Sequence, residues 1–275
     1  MAVNFFPTFS STAYLLVIHG SRDPRPSQAA QVLAQQIGRL LGENCLIESA
    51  ALECAECPLH QQIMAVGDRA LRLGCKALKI VPLFLLPGVH VREDIPDEVA
   101  LAQQTLGRSL SIDILPYLGS YPGMVDLLMR RLKPLRSSVG VTTVADVSTL
   151  LLAHGSRRAG GNQPIETIAS RLGATQAYWS VAPHFPDQIQ ILFEKGQTNI
   201  IVMPYFLFAG GITDAIVQRL DQLRDEYPSL TVILGEPLGA KADIAALIAQ
   251  EIRAATAHTV RQEHQNLVTS ATFKY

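Results

Sequence analysis

Short apolar runs alternate with segments of helical spacing along most of this chain. The run Tyr14–Ile18 is apolar throughout, which is typical of a strand that is buried on both faces of a parallel sheet. After it, apolar residues recur every three or four positions between Gln28 and Leu41, as on one face of an amphipathic helix. Such alternation predicts βαβ units and therefore a parallel sheet.

The same two patterns predict elements in both halves of the chain. The predicted strands are Tyr14–Ile18, Leu46–Leu52, Ala77–Leu86, Ser111–Leu115, Leu150–Ala153, Ala177–Val181, Asn199–Phe206 and Leu230–Leu234. The helices predicted in the first half are Gln28–Leu41, Leu59–Leu73, a helix that begins near Ile95, and Tyr121–Leu132.

The second half of the chain repeats the first. Y-L-L-V-I-H-G-S-R at Tyr14–Arg22 recurs as T-L-L-L-A-H-G-S-R at Thr149–Arg157. I-V-P-L-F-L-L-P-G at Ile80–Gly88 recurs as I-V-M-P-Y-F-L-F-A-G at Ile201–Gly210, with one residue of slack. We therefore predict an α/β fold of two tandem domains, residues 1–140 and 141–275. Each domain is a four-stranded parallel sheet flanked by helices, and a polar linker lies within Lys133–Val147.

Composition narrows the possible partners. The formal net charge of the 275 residues is -1, so bulk electrostatics favour neither nucleic acid nor an anionic membrane as a partner. Four cysteines are too few and too clustered for a disulfide framework. The chain shows neither a basic, apolar leader nor an apolar run of about 18 residues. We therefore expect a cytoplasmic protein without a membrane or nucleic-acid partner.

Three polar side chains follow predicted strands of the first half. His19 follows the first strand, Glu53 the second and His90 the third. The carboxyl ends of neighbouring parallel strands face one crevice, where ligands bind in open α/β sheets. Two imidazoles and a carboxylate could bind Fe²⁺, Co²⁺ or Ni²⁺, and they could also transfer protons near neutral pH. Alternatively, each histidine could be an ordinary hydrogen-bonded loop residue.

The second half retains only part of this set. His154 takes the place of His19, but alignment of Gly88 with Gly210 puts Ile212 where His90 stands. Opposite Glu53 the sequence offers Ala182 or Pro183, with His184 close by. We infer one working site in the first half and a degenerate copy in the second. His154 has an alternative explanation, because its turn could persist only for the backbone requirement of Gly155.

Other motifs are weaker candidates for a site. Cys54 and Cys57 form a lone C-x-x-C, with His60 three residues on. This is half of a zinc site and is more simply explained by structural or incidental cysteines. The H-G-S-R turn has one glycine and lacks G-K-[ST], so it does not predict a nucleotide site. The acids in H-V-R-E-D at His90–Asp94 are explained as charges at a helix N-terminus.

Three segments resemble the class II tetrapyrrole chelatases, specifically the sirohydrochlorin chelatases of the CbiX/SirB type. They are L-V-I-H-G-S-R-D-P-R at Leu16–Arg25, A-L-E-C-A-E-C-P at Ala51–Pro58, and V-P-L-F-L-L-P-G-V-H-V-R-E-D-I-P at Val81–Pro96. The likeness covers nearly the whole chain and implies the long form, with two tandem chelatase-like domains. The sequence departs from the family at Cys54 and Cys57, where small or apolar residues are expected.

The resemblance implies an enzyme, a lyase that inserts Fe²⁺ or Co²⁺ into sirohydrochlorin during sirohaem or cobalamin biosynthesis. The resemblance implies that His19 and His90 are the metal-binding and catalytic histidines. It also implies that Glu53 is the catalytic carboxylate after the second strand. No cofactor is implied beyond the substrate metal, for which Ni²⁺ is also compatible with these ligands.

The resemblance also implies a macrocycle that lies between the two halves and carries many carboxylates. Arginines near the histidines, namely Arg22, Arg25, Arg92 and Arg157, could bind those carboxylates. For each of them the alternative is a solvated surface charge. The rival function is a carrier that binds metal or tetrapyrrole without catalysis. We expect a monomer rather than a homodimer, since a fused duplicate can replace a pair of subunits.

Overall fold

The computed structural model describes residues 10–42, 44–138 and 147–272, and only the backbone of residues 258–272. Strands and helices alternate along this part of the chain. The first half contains β1 (Thr12–Ile18), α1 (Pro24–Leu41), β2 (Ile47–Ala51), α2 (Leu59–Arg72), β3 (Ala77–Pro82), a π-helical turn (His90–Asp94), α3 (Ile95–Leu106), β4 (Ser111–Ile114), a 3₁₀ turn (Leu118–Ser120) and α4 (Met124–Ser138). The second half contains β5 (Ser148–Ala153), α5 (Gln163–Leu172), β6 (Thr175–Tyr178), α6 (Phe185–Glu194), β7 (Asn199–Pro204), α7 (Gly211–Glu226), β8 (Thr231–Leu234) and α8 (Ala242–Thr272).

Within these residues the strands form two parallel, four-stranded sheets of the same topology. The strand order is β2-β1-β3-β4 in the first sheet and β6-β5-β7-β8 in the second. In the first sheet Leu15 pairs with Glu48 on one side and with Ile80 on the other. The predicted α/β fold with two duplicated sheets is therefore confirmed, and β1 lies between the two strands that precede Glu53 and His90.

Strand β1 is buried on both faces because each face packs against a different core. Tyr14, Leu16 and Ile18 belong to a core cluster that extends into the second half. The alternate residues of β1 pack instead with α2 and α3. Successive side chains of a strand point to opposite faces, so a strand between two cores must be apolar at every position, as the sequence predicted.

The two halves share a hydrophobic core. Residues of α1 and α4 pack in one cluster with residues of β5, α5 and α8. Polar contacts cross the same boundary, since the Arg131 guanidinium donates to both carboxylate oxygens of Asp243, at 2.7 and 2.6 Å. The two halves therefore pack against each other and bury apolar side chains of both in one core.

Element boundaries differ from the predictions where capping and proline decide them. Helix α1 begins at Pro24 rather than at Gln28, because the Asp23 side chain accepts a hydrogen bond from the Arg25 backbone N–H and caps the helix. Helix α4 extends to Ser138 despite Pro134, so the start of the predicted linker is helical. The predicted boundary between residues 140 and 141 lies outside the described residues. In the part of the chain that is described, no helix has both the length and the apolar composition of a membrane span.

Candidate metal centre

His19, Glu53 and His90 meet at the carboxyl edge of the first sheet. Their nearest ligand atoms all lie within 4.8 Å of one another. The Nδ1 atom of His19 is 3.9 Å from Oε2 of Glu53. The two imidazole rings meet edge to face, with their centroids 4.7 Å apart. Among the described residues, no other group of three or more histidine, cysteine or acidic side chains meets this criterion.

A glycine brings His19 against Glu53. The backbone N–H of Glu53 donates to the carbonyl of His19 at 2.8 Å, so the loop after β2 lies directly on the turn after β1. Gly20 has a φ of 96°, and a Cβ atom on it would lie 1.8 Å from the Glu53 carbonyl oxygen. Only glycine fits such a contact at such a φ, which explains the glycine after the first histidine.

The loop that carries Glu53 is fixed at both of its ends by Gln62 of α2. The Gln62 side-chain carbonyl accepts from the Ala51 N–H at 3.1 Å, and its amide donates to the Ala51 carbonyl at 2.9 Å. The same amide donates to the Cys57 carbonyl at 3.0 Å. Strand β2 is at the edge of its sheet, so Gln62 satisfies backbone groups that no neighbouring strand could reach.

His90 stands in a wide helical turn that also supplies its partner. Residues His90–Asp94 form a π-helical turn, in which the Ile95 N–H bonds to the His90 carbonyl. The Asp94 side chain lies with Oδ2 2.6 Å from Nδ1 of His90. The sequence-based explanation of Asp94 as a helix-terminal charge is incomplete, because its side chain makes no capping hydrogen bond to α3 and binds the histidine instead. The spacing His-x-x-x-Asp could have predicted this pair from the sequence, because residues four apart lie on the same face of a helical turn.

The three side chains are accessible to an ion from solvent. The exposed fraction is 54% for the His19 side chain, 52% for that of Glu53 and 26% for that of His90. Imidazole nitrogens and a carboxylate oxygen suit divalent iron, cobalt and nickel, and do not discriminate strongly among them. These three side chains can therefore bind a borderline divalent metal, and the same groups can accept protons from a molecule bound next to them.

The second half places a serine where the first half has Glu53. The Ser180 N–H donates to the His154 carbonyl at 2.9 Å, in the same way that the Glu53 N–H bonds to His19. Ser180 is therefore the counterpart of Glu53, and the expectation of Ala182 or Pro183 was wrong. The error arose because the sequence of this loop differs between the halves, whereas strand pairing and the backbone bond to the histidine fix the register.

Strand pairing confirms Ile212 as the counterpart of His90. Pro82 pairs with β1 and Pro204 with β5 at matching positions. Gly88 and Gly210 both follow six residues later, and His90 and Ile212 two residues after that. The pairing matches Ile80 with Val202 without a gap, so the slack expected within this stretch was wrong. A one-residue difference between the halves lies further along the chain. From His90 to the first buried residue of the next helix, Ile95, is five steps, whereas from Ile212 to the equivalent Ile216 is four.

His154 lies close to the first-half site although it lacks these partners. Partial burial lowers its pKa, and the charge of nearby His19 lowers it further. The segment after β1 also contacts the second half directly, since Arg25 bonds to Asp214. Gly155 has a φ of 89°, and a Cβ on it would lie 2.5 Å from Cγ2 of Val181. A backbone requirement thus accounts for the glycine in the second H-G-S-R turn.

The predicted substrate-binding arginines divide into two groups. Arg22, Arg92 and Arg157 are exposed, and none has an ion-pair partner among the described residues. Arg25 instead donates from Nη1 to Oδ1 of Asp214 at 3.0 Å and from Nε to Asp23. Hydrogen bonds from Arg25 lower the pKa of both carboxyl groups. Arg25 would have to leave Asp214 of the second half before it could bind another carboxylate.

The cysteine motif does not form a second metal site in the described part of the chain. All four thiols are free, and Cys54 and Cys57 belong to no such cluster. His60 is bound elsewhere, since its Nδ1 lies 2.9 Å from Oε2 of Glu98. These observations fit the interpretation of Cys54 and Cys57 as structural or incidental residues.

Comparisons with known proteins point to one family. The family model named CbiX matches residues 13–135 and, a second time, residues 148–255. A protein named sirohydrochlorin ferrochelatase from Priestia megaterium is 25% identical over 88% of this chain and 89% of its own length. One named sirohydrochlorin cobaltochelatase, from the same organism, is 23% identical over 78% of this chain and 68% of its own.

A solved structure shares the fold. The structure described as SirB from Bacillus subtilis with Fe³⁺ superposes with a TM-score of 0.75 at 22% identity, over 91% of this chain and 98% of that one. The double match of the family model covers most of the chain and coincides with the two sheets. The chain therefore belongs to the CbiX family.

Proposed function

We propose that this protein inserts a divalent metal, Fe²⁺ or Co²⁺, into sirohydrochlorin. The observation that carries the proposal is the convergence of ligand atoms of His19, Glu53 and His90 within 4.8 Å of one another. Relatives named ferrochelatase and cobaltochelatase, both for sirohydrochlorin, support the substrate and the two metals. The product would be sirohaem or a cobalamin precursor.

His19 and His90 are the groups that bind the incoming metal. Their rings stand edge to face, 4.7 Å apart, so one nitrogen of each can approach a common ion. Neutral imidazole is a good ligand for such metals and releases them more readily than thiolate does. A metal that must be passed on to the macrocycle requires ligands of this intermediate strength.

Insertion displaces two protons from the pyrrole nitrogens, and the site needs acceptors for them. Glu53 is the first candidate, because its carboxylate is half exposed beside His19 and accepts protons without occupying the imidazoles. The two histidines can act as further acceptors once the metal has left them. The metal and the protons thus cross the same face of the macrocycle in opposite directions.

Arginine side chains would hold the substrate's carboxylates. Arg22 and Arg92 lie on the two loops that carry the histidines, and Arg157 lies on the equivalent loop of the second half. Their guanidinium groups are exposed and free of ion pairs among the described residues, so they are available for charge-assisted hydrogen bonds. Arg25 would contribute only after release from Asp214.

The test is a metal-insertion assay with purified protein. Sirohydrochlorin and Fe²⁺, Co²⁺ or Ni²⁺ are mixed with catalytic amounts of the chain, and the change in tetrapyrrole absorbance is followed. We expect many turnovers per protein and a rate well above the spontaneous reaction, with the ratio of rates identifying the preferred metal. Binding of one equivalent without turnover would contradict the proposal and would favour a carrier.

We also propose a monomer in solution. The two halves already bury a common core, as two subunits of a homodimer would. Light scattering coupled to size exclusion should give a mass near 30 kDa, the mass of one chain. A mass twice as large would contradict this expectation without affecting the proposed reaction.

A further inference from the structure

One carboxylate beside the metal centre, that of Asp94, neither binds the metal nor accepts a proton in the proposed reaction. Asp94 Oδ2 lies 2.6 Å from Nδ1 of His90. A carboxylate at this distance accepts a hydrogen bond, so Nδ1 must carry the proton. The other ring nitrogen, Nε2, is then left with its lone pair and is the only atom of His90 that can bind a metal.

The wide turn gives the pair its geometry. His90 and Asp94 are the first and last residues of the π-helical turn, and single π turns inside helices are frequent at functional sites. Both side chains are partly shielded, with exposed fractions of 26% and 42%. Partial shielding strengthens a charge-assisted hydrogen bond relative to one in open water.

The second half shows what the turn looks like without the histidine. Its equivalent stretch, Ile212 to Ile216, is one residue shorter and begins a regular α-helix. Its only acid, Asp214, is bonded to Arg25. The histidine, the extra residue of the turn and the carboxylate that faces the ring are thus all absent together. Because the three features are absent together, we interpret them as one functional unit and not as a histidine beside an unrelated helix charge.

We infer that Asp94 is a positioning residue, which fixes the tautomer and orientation of His90 so that Nε2 faces the metal. The inference rests on the proposed role of His90 as a metal ligand. Histidine ligands commonly donate their second N–H to a carboxylate, and loss of that partner typically costs about 10- to 100-fold in metal affinity or activity. His19 has no carboxylate at such a short distance. Its Nδ1 lies 3.2 Å from the Gly20 carbonyl oxygen and 3.9 Å from Oε2 of Glu53.

The experiment compares Asp94→Ala and Asp94→Asn with Glu93→Ala. Glu93 is an exposed acid on the same turn, and it has no ion-pair partner among the described residues. Each variant is titrated with Co²⁺ in the absence of tetrapyrrole, with cobalt absorption as the signal. We expect the dissociation constant to rise about 10- to 100-fold for Asp94→Ala, less for Asp94→Asn, which keeps an acceptor oxygen, and not at all for Glu93→Ala.

A second readout reports the tautomer itself. Two-dimensional ¹H–¹⁵N NMR of the histidine rings at about pH 8, above the ordinary pKa of histidine, should show His90 protonated at Nδ1. In Asp94→Ala the proton should move largely to Nε2, while Glu93→Ala should keep the original signal. Because Asp94→Asn is nearly isosteric, it serves as the folded comparison if the alanine variant is unstable.

Three results would overturn the inference. They are unchanged cobalt affinity in Asp94→Ala, an equal loss in Glu93→Ala, and a His90 protonated at Nε2 in the unsubstituted protein. A protein that binds Co²⁺ but never inserts it would refute the proposed function alone, since the Asp94 comparison needs only metal binding. A protein that does not bind Co²⁺ at all would refute both.

Discussion

The ends of strands β1 and β5 offer the most informative comparison in this molecule. Each strand lies inside its sheet and is followed by a histidine and a glycine of positive φ. The carbonyl of each histidine accepts a backbone hydrogen bond from the neighbouring loop. Glu53 and His90 lie beside His19, whereas the corresponding positions of the second half hold Ser180 and Ile212. The scaffold has been kept in both halves and the ligand set in only one.

This difference separates what the fold requires from what chemistry requires. The H-G-S-R turn is present in both halves, so its glycine and backbone geometry serve the fold. The acid and the second histidine are present in only one half, so nothing in the fold demands them. A side chain that the fold does not demand, at the ligand-binding edge of a sheet, is the one to test for function.

The largest effect is expected from the two histidines of the complete set. His19→Ala and His90→Ala should each lower the rate of metal insertion by about 10³-fold or more, within the range for groups that act directly at the reacting centre. The double variant should be little worse than either single one, because groups that act as a unit are strongly non-additive. Initial rates would decide this, with tetrapyrrole binding measured by fluorescence quenching as the control. Multiplicative losses would mean that the histidines serve separate steps.

The acid should matter in one half and its serine counterpart should not. Glu53→Gln keeps the size of the side chain but removes its charge and its basicity. We expect a loss of about 10²- to 10³-fold in kcat, as for removal of a general base. Ser180→Ala is the matched change in the second half and should leave the rate within a factor of about two. Comparable losses in both variants would show that the second half takes part in the reaction.

The two turn glycines should differ in their structural importance. Gly20→Ala forces a Cβ to within 1.8 Å of a backbone carbonyl oxygen, whereas the Cβ of Gly155→Ala meets side-chain atoms at 2.5 and 2.9 Å. Positive φ alone costs about 1 to 3 kcal/mol in free energy of unfolding. We expect Gly20→Ala to lose about 3 kcal/mol and Gly155→Ala less. Urea unfolding checks this.

Gly74→Ala is the control for strain alone, because Gly74 has a φ of 83° and a Cβ there would have no atom within 4 Å. It should show the smallest loss of the three variants. If Gly20→Ala were no worse than Gly74→Ala, the contact between the two loops would not be essential.

An ion pair that joins the halves should contribute a smaller, pH-dependent stability. Hydrogen bonds from Arg131 lower the pKa of the Asp243 carboxyl group. A lowered folded-state pKa means that this stability is present above the usual carboxyl pKa and is lost as the pH falls through the lowered value. Asp243→Asn should therefore cost about 1.5 kcal/mol at neutral pH and progressively less in acid. Urea midpoints at pH 7 and at about pH 3 would test this, and a pH-independent difference would contradict it.

The smallest effect is expected from the histidine of the incomplete set. His154→Ala should lower metal insertion by less than about fivefold, which corresponds to about 1 kcal/mol. The charge of His19 acts on His154, which allows a modest electrostatic influence, but the second half has Ser180 and Ile212 at the positions of Glu53 and His90. A loss equal to that of His19→Ala would mean that His154 is part of the same working site.

Much of the fold followed from local patterns. A strand buried on both faces is apolar at most of its positions, and β1, β3, β5 and β7 each contain such an apolar run. Helix ends were less predictable, as at Pro24, because a single side-chain hydrogen bond from Asp23 moves the start of α1 by a turn. The candidate ligands were predictable too, since parallel strands direct their carboxyl ends to one edge.

The sequence by itself therefore determined the duplicated α/β architecture and placed His19, Glu53 and His90 at a common edge, because strand periodicity and strand direction are encoded locally. Only the tertiary structure decided the partners of the loop residues. Ser180 matches Glu53, Asp94 binds His90 and Arg25 is held by Asp214. The physical reason is that loops have no period of their own. Their register is set by hydrogen bonds and close contacts with segments distant in the chain, and these form only when the sheets, turns and helices are assembled.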